Sequence, residues 1–95
     1  MKKRIEKIQS LLKEGEAALI YDGFNRFYLT GFNSSAGWVL ITKFDAVFFI
    51  DFRYFEKAKS IVDSCQVILS EKGTQQIYDF CKDKKVKTLY LFLRI

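Results

Sequence analysis

Residues 36–51 read AGWVLITKFDAVFFID, and this stretch decides the fold. Two strongly apolar runs, Ala36 to Thr42 and Ala46 to Asp51, are separated only by Lys43, Phe44 and Asp45. So short a gap suits a β-hairpin, and the two runs are expected to pair antiparallel. Neither run alternates apolar with polar residues, which marks strands covered on both faces. Phe48 and Phe49 then point to opposite faces, because successive side chains of a strand alternate. Such a sheet needs helices on each side, and the flanking sequence has to supply them.

Toward the N-terminus, Phe24, Phe27, Tyr28 and Phe32 recur at helical spacing and Gly31 offers a stop, so a short helix is expected within Gly23 to Asn33. Before it, Ala17 to Tyr21 is a continuous apolar run ended by Asp22-Gly23, and reads as another strand inside the sheet. From Lys3 to Glu14, the residues Ile5, Ile8 and Leu12 fall within about 60° of one another on a helix, and Leu11 widens the stripe. Gly15 is the expected left-handed stop. Lysine at that helix's start and glutamate at its end oppose the dipole, so packing has to hold it.

Toward the C-terminus, Arg53 to Val62 reads as a helix with Tyr54, Phe55, Ala58, Ile61 and Val62 inward, and Cys65 to Leu69 as a strand. Thr74 is placed to cap a helix carrying Ile77, Phe80 and Cys81 inward, and Thr88 to Leu93 reads as a last strand. The order α-β-α-β-β-α-β-α-β predicts an α/β fold, a mixed sheet with helices on both faces. The chain's 95 residues leave room for one domain, 1–95. It stops on Leu91-Phe92-Leu93-Arg94-Ile95, an apolar strand, and so is expected to be a truncated portion of something larger.

Composition removes much chemistry. The chain has no histidine, which excludes Ser-His-Asp and Cys-His catalysis and His-ligated zinc or haem. The net charge of +5 comes mainly from Lys2, Lys3, Arg4, Lys7 and Lys13, shared with Glu6 and Glu14, and from Lys82, Lys84, Lys85 and Lys87 around Asp83. Both groups read as solvated helix faces and ends, and no aromatic strand motif of RNA-binding domains accompanies them. Cys65 and Cys81 suit neither a redox pair nor a disulfide framework, and read as core thiols of a reducing compartment. No apolar run reaches the roughly 18 residues of a membrane span, so a cytoplasmic protein with no membrane partner is expected.

Two segments stand out as candidate function-bearing sites. Eleven of the sixteen aromatic residues lie between Phe24 and Phe55. Within that span, Gly31-Phe32-Asn33-Ser34-Ser35-Ala36-Gly37 is a small polar loop leading into a strand, the kind of loop on which a scaffold displays function. Asp51-Phe52-Arg53-Tyr54 sits where a strand ends and a helix begins, the edge of an α/β sheet at which ligands bind. Asp51 can equally cap that helix through its backbone N–H groups.

In combination these segments resemble a family. Tyr28-Leu29-Thr30-Gly31-Phe32-Asn33-Ser34-Ser35-Ala36-Gly37, preceded by Asp22-Gly23-Phe24-Asn25, is similar to the D-P-x-N-x-x-Y-L-T-G-F-x-x-S-x-G segment of creatinase/prolidase N-terminal domains. Asp51-Phe52-Arg53-Tyr54 resembles that family's D-x-R-Y, Phe55 to Ala58 continues the match, and Arg4 to Leu12 is similar to its first helix. Gly23 stands where the family has proline, and Phe52 where glycine is common, which puts the shape of both turns in question. The resemblance implies a three-layer α/β/α domain with a mixed, ribonuclease-H-like sheet, and the non-catalytic N-terminal part of an Xaa-Pro dipeptidase or aminopeptidase P type metallopeptidase. It implies that the two divalent metal ions (Mn, Co or Zn) belong to an absent C-terminal pita-bread catalytic domain, with no catalytic or metal residue in this chain. It further implies a homodimer in which this domain lines the partner subunit's substrate entrance, for a proline-containing peptide.

By position, the entrance or interface candidates are Phe32, Asn33, Ser34, Ser35, Trp38, Asp51, Phe52, Arg53 and Tyr54. Arg53 offers a planar guanidinium for a peptide's terminal carboxylate, and Phe32, Phe52 or Trp38 an apolar wall for a proline ring. Alternatively, Arg53 pairs with Asp51 or Glu56 on the surface, where such a pair contributes about 0–1 kcal/mol. Two readings from other classes remain open. One is a free-standing binding module, for nucleic acid, using basic ends and exposed aromatics; the other is an independent enzyme in which Asp22 and Asp51 hold Mg²⁺.

Overall fold

The hairpin forms where its sequence places it. In the computed structural model, which describes residues 1–92, β2 (Trp38–Thr42) and β3 (Ala46–Ile50) pair antiparallel with Val39 opposite Phe48. Thr42 and Asp45 fasten the three-residue turn. The Thr42 hydroxyl accepts the Phe44 and Asp45 N–H groups, and the Thr42 N–H donates to the Asp45 carbonyl at 2.8 Å. The strand β1 (Glu16–Ile20) runs antiparallel to β2 on its other side. β4 (Gln66–Leu69) lies parallel to β3, and β5 (Thr88–Phe92) lies parallel to β1. The five-stranded sheet has the order β4-β3-β2-β1-β5, with β2 alone running against the rest. Leu93, the last residue of the expected final strand, lies outside the described residues.

Both faces are covered, unequally. The helices α1 (Lys2–Leu11), α2 (Gly23–Thr30) and α3 (Phe55–Ile61) lie on one face, where Ile5, Leu29 and Ala58 pack with Ile20, Ile41, Phe48 and Ile50. The helix α4 (Thr74–Asp83) lies on the other, where Ile77 packs with Leu19, Leu40, Val47 and Phe49. Phe48 and Phe49 thus separate to opposite faces, and the mixed three-layer α/β/α class stands as read.

Several boundaries and faces differ from expectation. Leu12, just past α1, is already extended and buried, so Gly15 (φ +84°) turns the chain into β1 rather than stopping the helix. Leu11 projects into solvent, and so does Ile61 at the end of α3. Thr74 opens α4 from inside the helix; Gly73 holds the cap position and no side chain caps it. β2 starts at Trp38 because Gly37, at φ +140°, lies so close to the sheet that a Cβ there would meet the Phe48 ring at 2.9 Å. Phe52 in place of glycine requires no left-handed backbone, since Lys85 is the one non-glycine residue with positive φ among the described residues.

The face that α2 buries is not the one that carries its rings. Aromatic spacing locates the helix, and Gly31 ends it in the left-handed conformation (φ +73°). Yet its inward residues are Asn25, Arg26, Leu29 and Thr30, while Phe24, Phe27 and Tyr28 are 77%, 50% and 46% exposed. Polar groups turn inward because the backbone on either side of α2 has unpaired ends to satisfy. The Asp22 carboxylate caps the helix, accepting the Asn25 N–H at 3.0 Å and the Asn25 side-chain amide. Arg26 donates to the Tyr21 carbonyl at the end of β1 and to the Ser34 carbonyl at 2.7 Å, tying the strand to the following loop.

Candidate functional site

β1 and β3 run in the same direction, so their C-terminal ends and the start of the antiparallel β2 reach one edge of the sheet. The loop 31–37 and the turn 51–54 meet there. The Ser35 and Tyr54 hydroxyls are 2.9 Å apart, joining the two candidate segments across nineteen positions of sequence. Ser34 holds its own loop by donating to the Ala36 carbonyl at 2.8 Å, and its carbonyl takes the Arg26 guanidinium. Arg26 is 4% exposed, so the loop rests on a buried charge. Burial pulls the Arg26 pKa below its ordinary value, opposed by Tyr21 and Asp22, and its Nε has no hydrogen-bond partner.

Asp51 closes the turn rather than capping α3. Its carboxylate accepts the Arg53 N–H at 3.1 Å, and its carbonyl accepts the Tyr54 N–H at 3.2 Å. Tyr54 occupies the cap position without a side-chain bond. The Arg53 guanidinium reaches back to Asp51 through Nε and Nη2, the latter at 2.8 Å, and its carbon lies 5.1 Å from the centre of the Tyr54 ring. This hydrogen-bonded pairing holds the Asp51 carboxyl below its ordinary pKa and raises that of Arg53, while the Ser35 hydrogen bond lowers that of Tyr54. About half of the Arg53 side chain stays exposed, so the paired guanidinium is still accessible from solvent.

The three aromatic candidates do not form one wall. Phe32 is buried and packs edge-on against both Phe48 and Tyr54, on the three-helix face of the sheet. Trp38 packs on the α4 face, its ring centre 4.4 Å from that of Tyr21. Phe52, at 81% exposure, stands clear at the edge. Asn33 is exposed on the loop. The site is therefore Ser35, Tyr54, Asp51 and Arg53 with Phe52 beside them, underpinned by Phe32. Sequence reasoning passed over Arg26, whose anchoring role arises from carbonyls brought to it by the fold. Asp22 three residues before Asn25 is a sequence signal that could have marked the helix start, since an aspartate at the cap accepts that N–H.

A divalent metal finds no cradle here. Among the described residues no three His, Cys, Asp or Glu side chains come together. Asp22 is engaged by Asn25, and Asp51 by Arg53. Among the same residues no helix is long and apolar enough to cross a membrane.

Comparison with known proteins agrees with this geometry. The Creatinase/Prolidase N-terminal domain family matches residues 4–90. A putative Xaa-Pro aminopeptidase of Mycoplasma genitalium is 34% identical over 93 residues, 96% of this chain and 26% of that protein. Among solved structures, the Xaa-Pro dipeptidase from Bacillus anthracis superposes with a TM-score of 0.82 at 27% identity, over 94% of this chain and 26% of that one. The N-terminal domain of the cytoplasmic peptidase PepQ from Mycobacterium tuberculosis gives 0.80 at 27% identity, over 94% of this chain and 72% of that one. The chain thus spans about a quarter of the length of full-length relatives, at their N-terminal part. From its first helix through its last strand, it belongs to the creatinase/prolidase N-terminal domain family.

Proposed function

We propose that the chain serves as the non-catalytic N-terminal domain of a cytoplasmic, proline-specific metallopeptidase, contributing to a homodimer and to the substrate entrance of the partner subunit. The observation that carries this reading is the edge at which Ser35 bonds Tyr54 and Asp51 pairs with Arg53. It is a preorganised, solvent-facing cluster in which the Asp51 carboxylate is engaged by Arg53 and the two hydroxyls by each other, which supports a role in holding substrate. In this reading Mn, Co or Zn and the catalytic carboxylates belong to a separate C-terminal domain; among the described residues no three His, Cys, Asp or Glu side chains come together. Arg53 is held by Asp51 in a fixed fork, which presents its guanidinium edge to a peptide carboxylate with little ordering cost.

The test is a chimera in which this chain replaces the matching segment of the Bacillus anthracis Xaa-Pro dipeptidase. The intact chimera is expected to hydrolyse Xaa-Pro dipeptides, and Arg53→Ala to raise KM by about tenfold, the worth of one charge-assisted hydrogen bond, with kcat little changed. Unchanged turnover and unchanged subunit assembly in the Arg53→Ala chimera would remove the entrance role.

A further inference from the structure

An arginine in the interior calls for a reason that packing alone does not give. Arg26 is buried, yet among the described residues no carboxylate lies within ion-pair distance of it. Asp22, four positions earlier, turns both carboxylate oxygens to Asn25. Burying a guanidinium without a counter-charge is far less favourable than burying an apolar side chain of like volume. The charge is instead shared between two carbonyls, that of Tyr21 at the end of β1 and that of Ser34 in the loop, the second at 2.7 Å. Nε has no partner, so these two contacts are all that the guanidinium gains.

The second contact acts on one particular peptide group. The Ser34 carbonyl lies in the same rigid plane as the Ser35 N–H, so fixing its direction fixes how Ser35 leaves the loop. Along residues 33–36 it is the one hydrogen bond, among the described residues, that ties the loop's backbone to the body of the domain. The Ser34 hydroxyl bonds only within the loop, to the Ala36 carbonyl. Upstream, the buried Thr30 hydroxyl donates to the Arg26 carbonyl at 2.7 Å and accepts the Phe32 N–H at 3.1 Å, so the start of the loop is fastened to the same residue. Downstream, Gly37 passes so near the Arg26 stem that an added Cβ would lie 3.6 Å from its Cδ. Ser35 itself is exposed, and one hydroxyl pair in water adds too little to hold a loop in place. The 2.9 Å approach of Ser35 to Tyr54 therefore follows from how the backbone beneath it is held.

We propose that Arg26 is a positioning residue of the substrate edge, its buried guanidinium setting the peptide between Ser34 and Ser35 so that Ser35 meets Tyr54 and the rim that receives a peptide substrate keeps its shape. The proposal rests on the entrance role given above, and adds to it a residue that touches neither the substrate nor the exposed edge. A lysine keeps the charge but not the planar fork that spans both carbonyls.

Two measurements test it. In the 95-residue chain, the Tyr54 phenol, assigned with Tyr54→Phe, is titrated by NMR of ring-labelled tyrosine. Its Ser35 hydrogen bond holds it below its ordinary pKa, and the charged groups that bear on it, Arg53 and Asp51, are the same in every variant compared. Arg26→Met and Arg26→Lys are each expected to move the titration upward by as much as Ser35→Ala does. Neither should add to the shift when combined with Ser35→Ala, because residues acting through one contact are not additive. Lysine keeps a charged donor in the interior and carries the test if methionine prevents folding, which circular dichroism checks. A Tyr54 titration unmoved by the Arg26 variants, or shifts that add to that of Ser35→Ala, overturns the proposal. In the chimera with the Bacillus anthracis dipeptidase, Arg26→Lys is expected to raise KM by about two- to tenfold, the worth of one hydrogen bond, with kcat little changed. An unchanged KM for Arg26→Lys beside a raised KM for Arg53→Ala overturns the positioning role and leaves the entrance standing. An unchanged KM for both overturns the two together.

Discussion

At Gly23 the chain carries glycine where its family has proline, and the surrounding geometry suits either. Asp22 before it is extended, at φ −62° and ψ 145°, the conformation a residue preceding proline adopts. Gly23 itself is the first residue of α2, whose N–H has no partner within a helix, and an added Cβ would meet only the end of Arg26 at 3.6 Å. Gly23→Pro is therefore expected to stabilise the fold by about 0.4–1 kcal/mol, chiefly by restricting the unfolded chain, and to raise Tm by a few degrees in a thermal melt. A lowered Tm would mean that the turn at Asp22 needs glycine after all. The thiols read as core residues from their number and spacing; both are partly buried at the margin of the core, where burial pushes Cys65 up to about 11 and raises Cys81. Arg53 was not legible, because Asp51, Glu56 and a ligand were all within reach in sequence. The folded turn selects Asp51, since both the Arg53 N–H and its guanidinium converge on that carboxylate.

Among the elements, α2 separates what periodicity reports from what it leaves out. Ring spacing and Gly31 identified a helix of the right length but did not say which side faces inward, and three of its four rings are exposed. The deciding groups were the Tyr21 and Ser34 carbonyls, which no local pattern reveals as needing Arg26. The cap that starts α2 titrates. Burial alone would raise the Asp22 pKa, but the Asn25 hydrogen bonds outweigh it and hold the carboxyl below its ordinary value. A carboxyl depressed in the folded state stabilises above its unfolded pKa of about 3.9, and that contribution is lost as pH falls through the folded value. Asp22→Asn keeps an acceptor at the cap without the titrating charge. It is expected to cost less than about 1 kcal/mol at neutral pH, and to lose less stability than the parent between about pH 5 and pH 2 in urea unfolding. Parallel acid profiles for the two proteins would assign the acid loss to other carboxylates.

In the whole molecule, three helices shield one face of the sheet and only α4 the other. Strands β1, β2 and β3 are buried along almost their whole length, whereas Leu89, Tyr90 and Leu91 of β5 are 42%, 45% and 60% exposed at the sheet's edge. Native-state hydrogen exchange is accordingly expected to be slowest at Leu19, Leu40 and Phe48, and faster by orders of magnitude through α4 and at Tyr90. Equal protection of β5 and β2 would contradict this order. The same asymmetry fits a chain that spans about a quarter of its full-length relatives. The sequence by itself determined the element order, the hairpin, the inward alternation of the central strands, the absence of histidine chemistry and the family, because each is written in local periodicity, composition or motif spacing. The tertiary structure alone decided which face of α2 lies inward, that Phe32 and Trp38 lie on opposite sides of the sheet, that Ser35 meets Tyr54, and that Arg53 rests on Asp51. Those outcomes depend on which unpaired backbone groups and side chains the closed sheet brings together, and burial is a property of the assembled whole rather than of any segment.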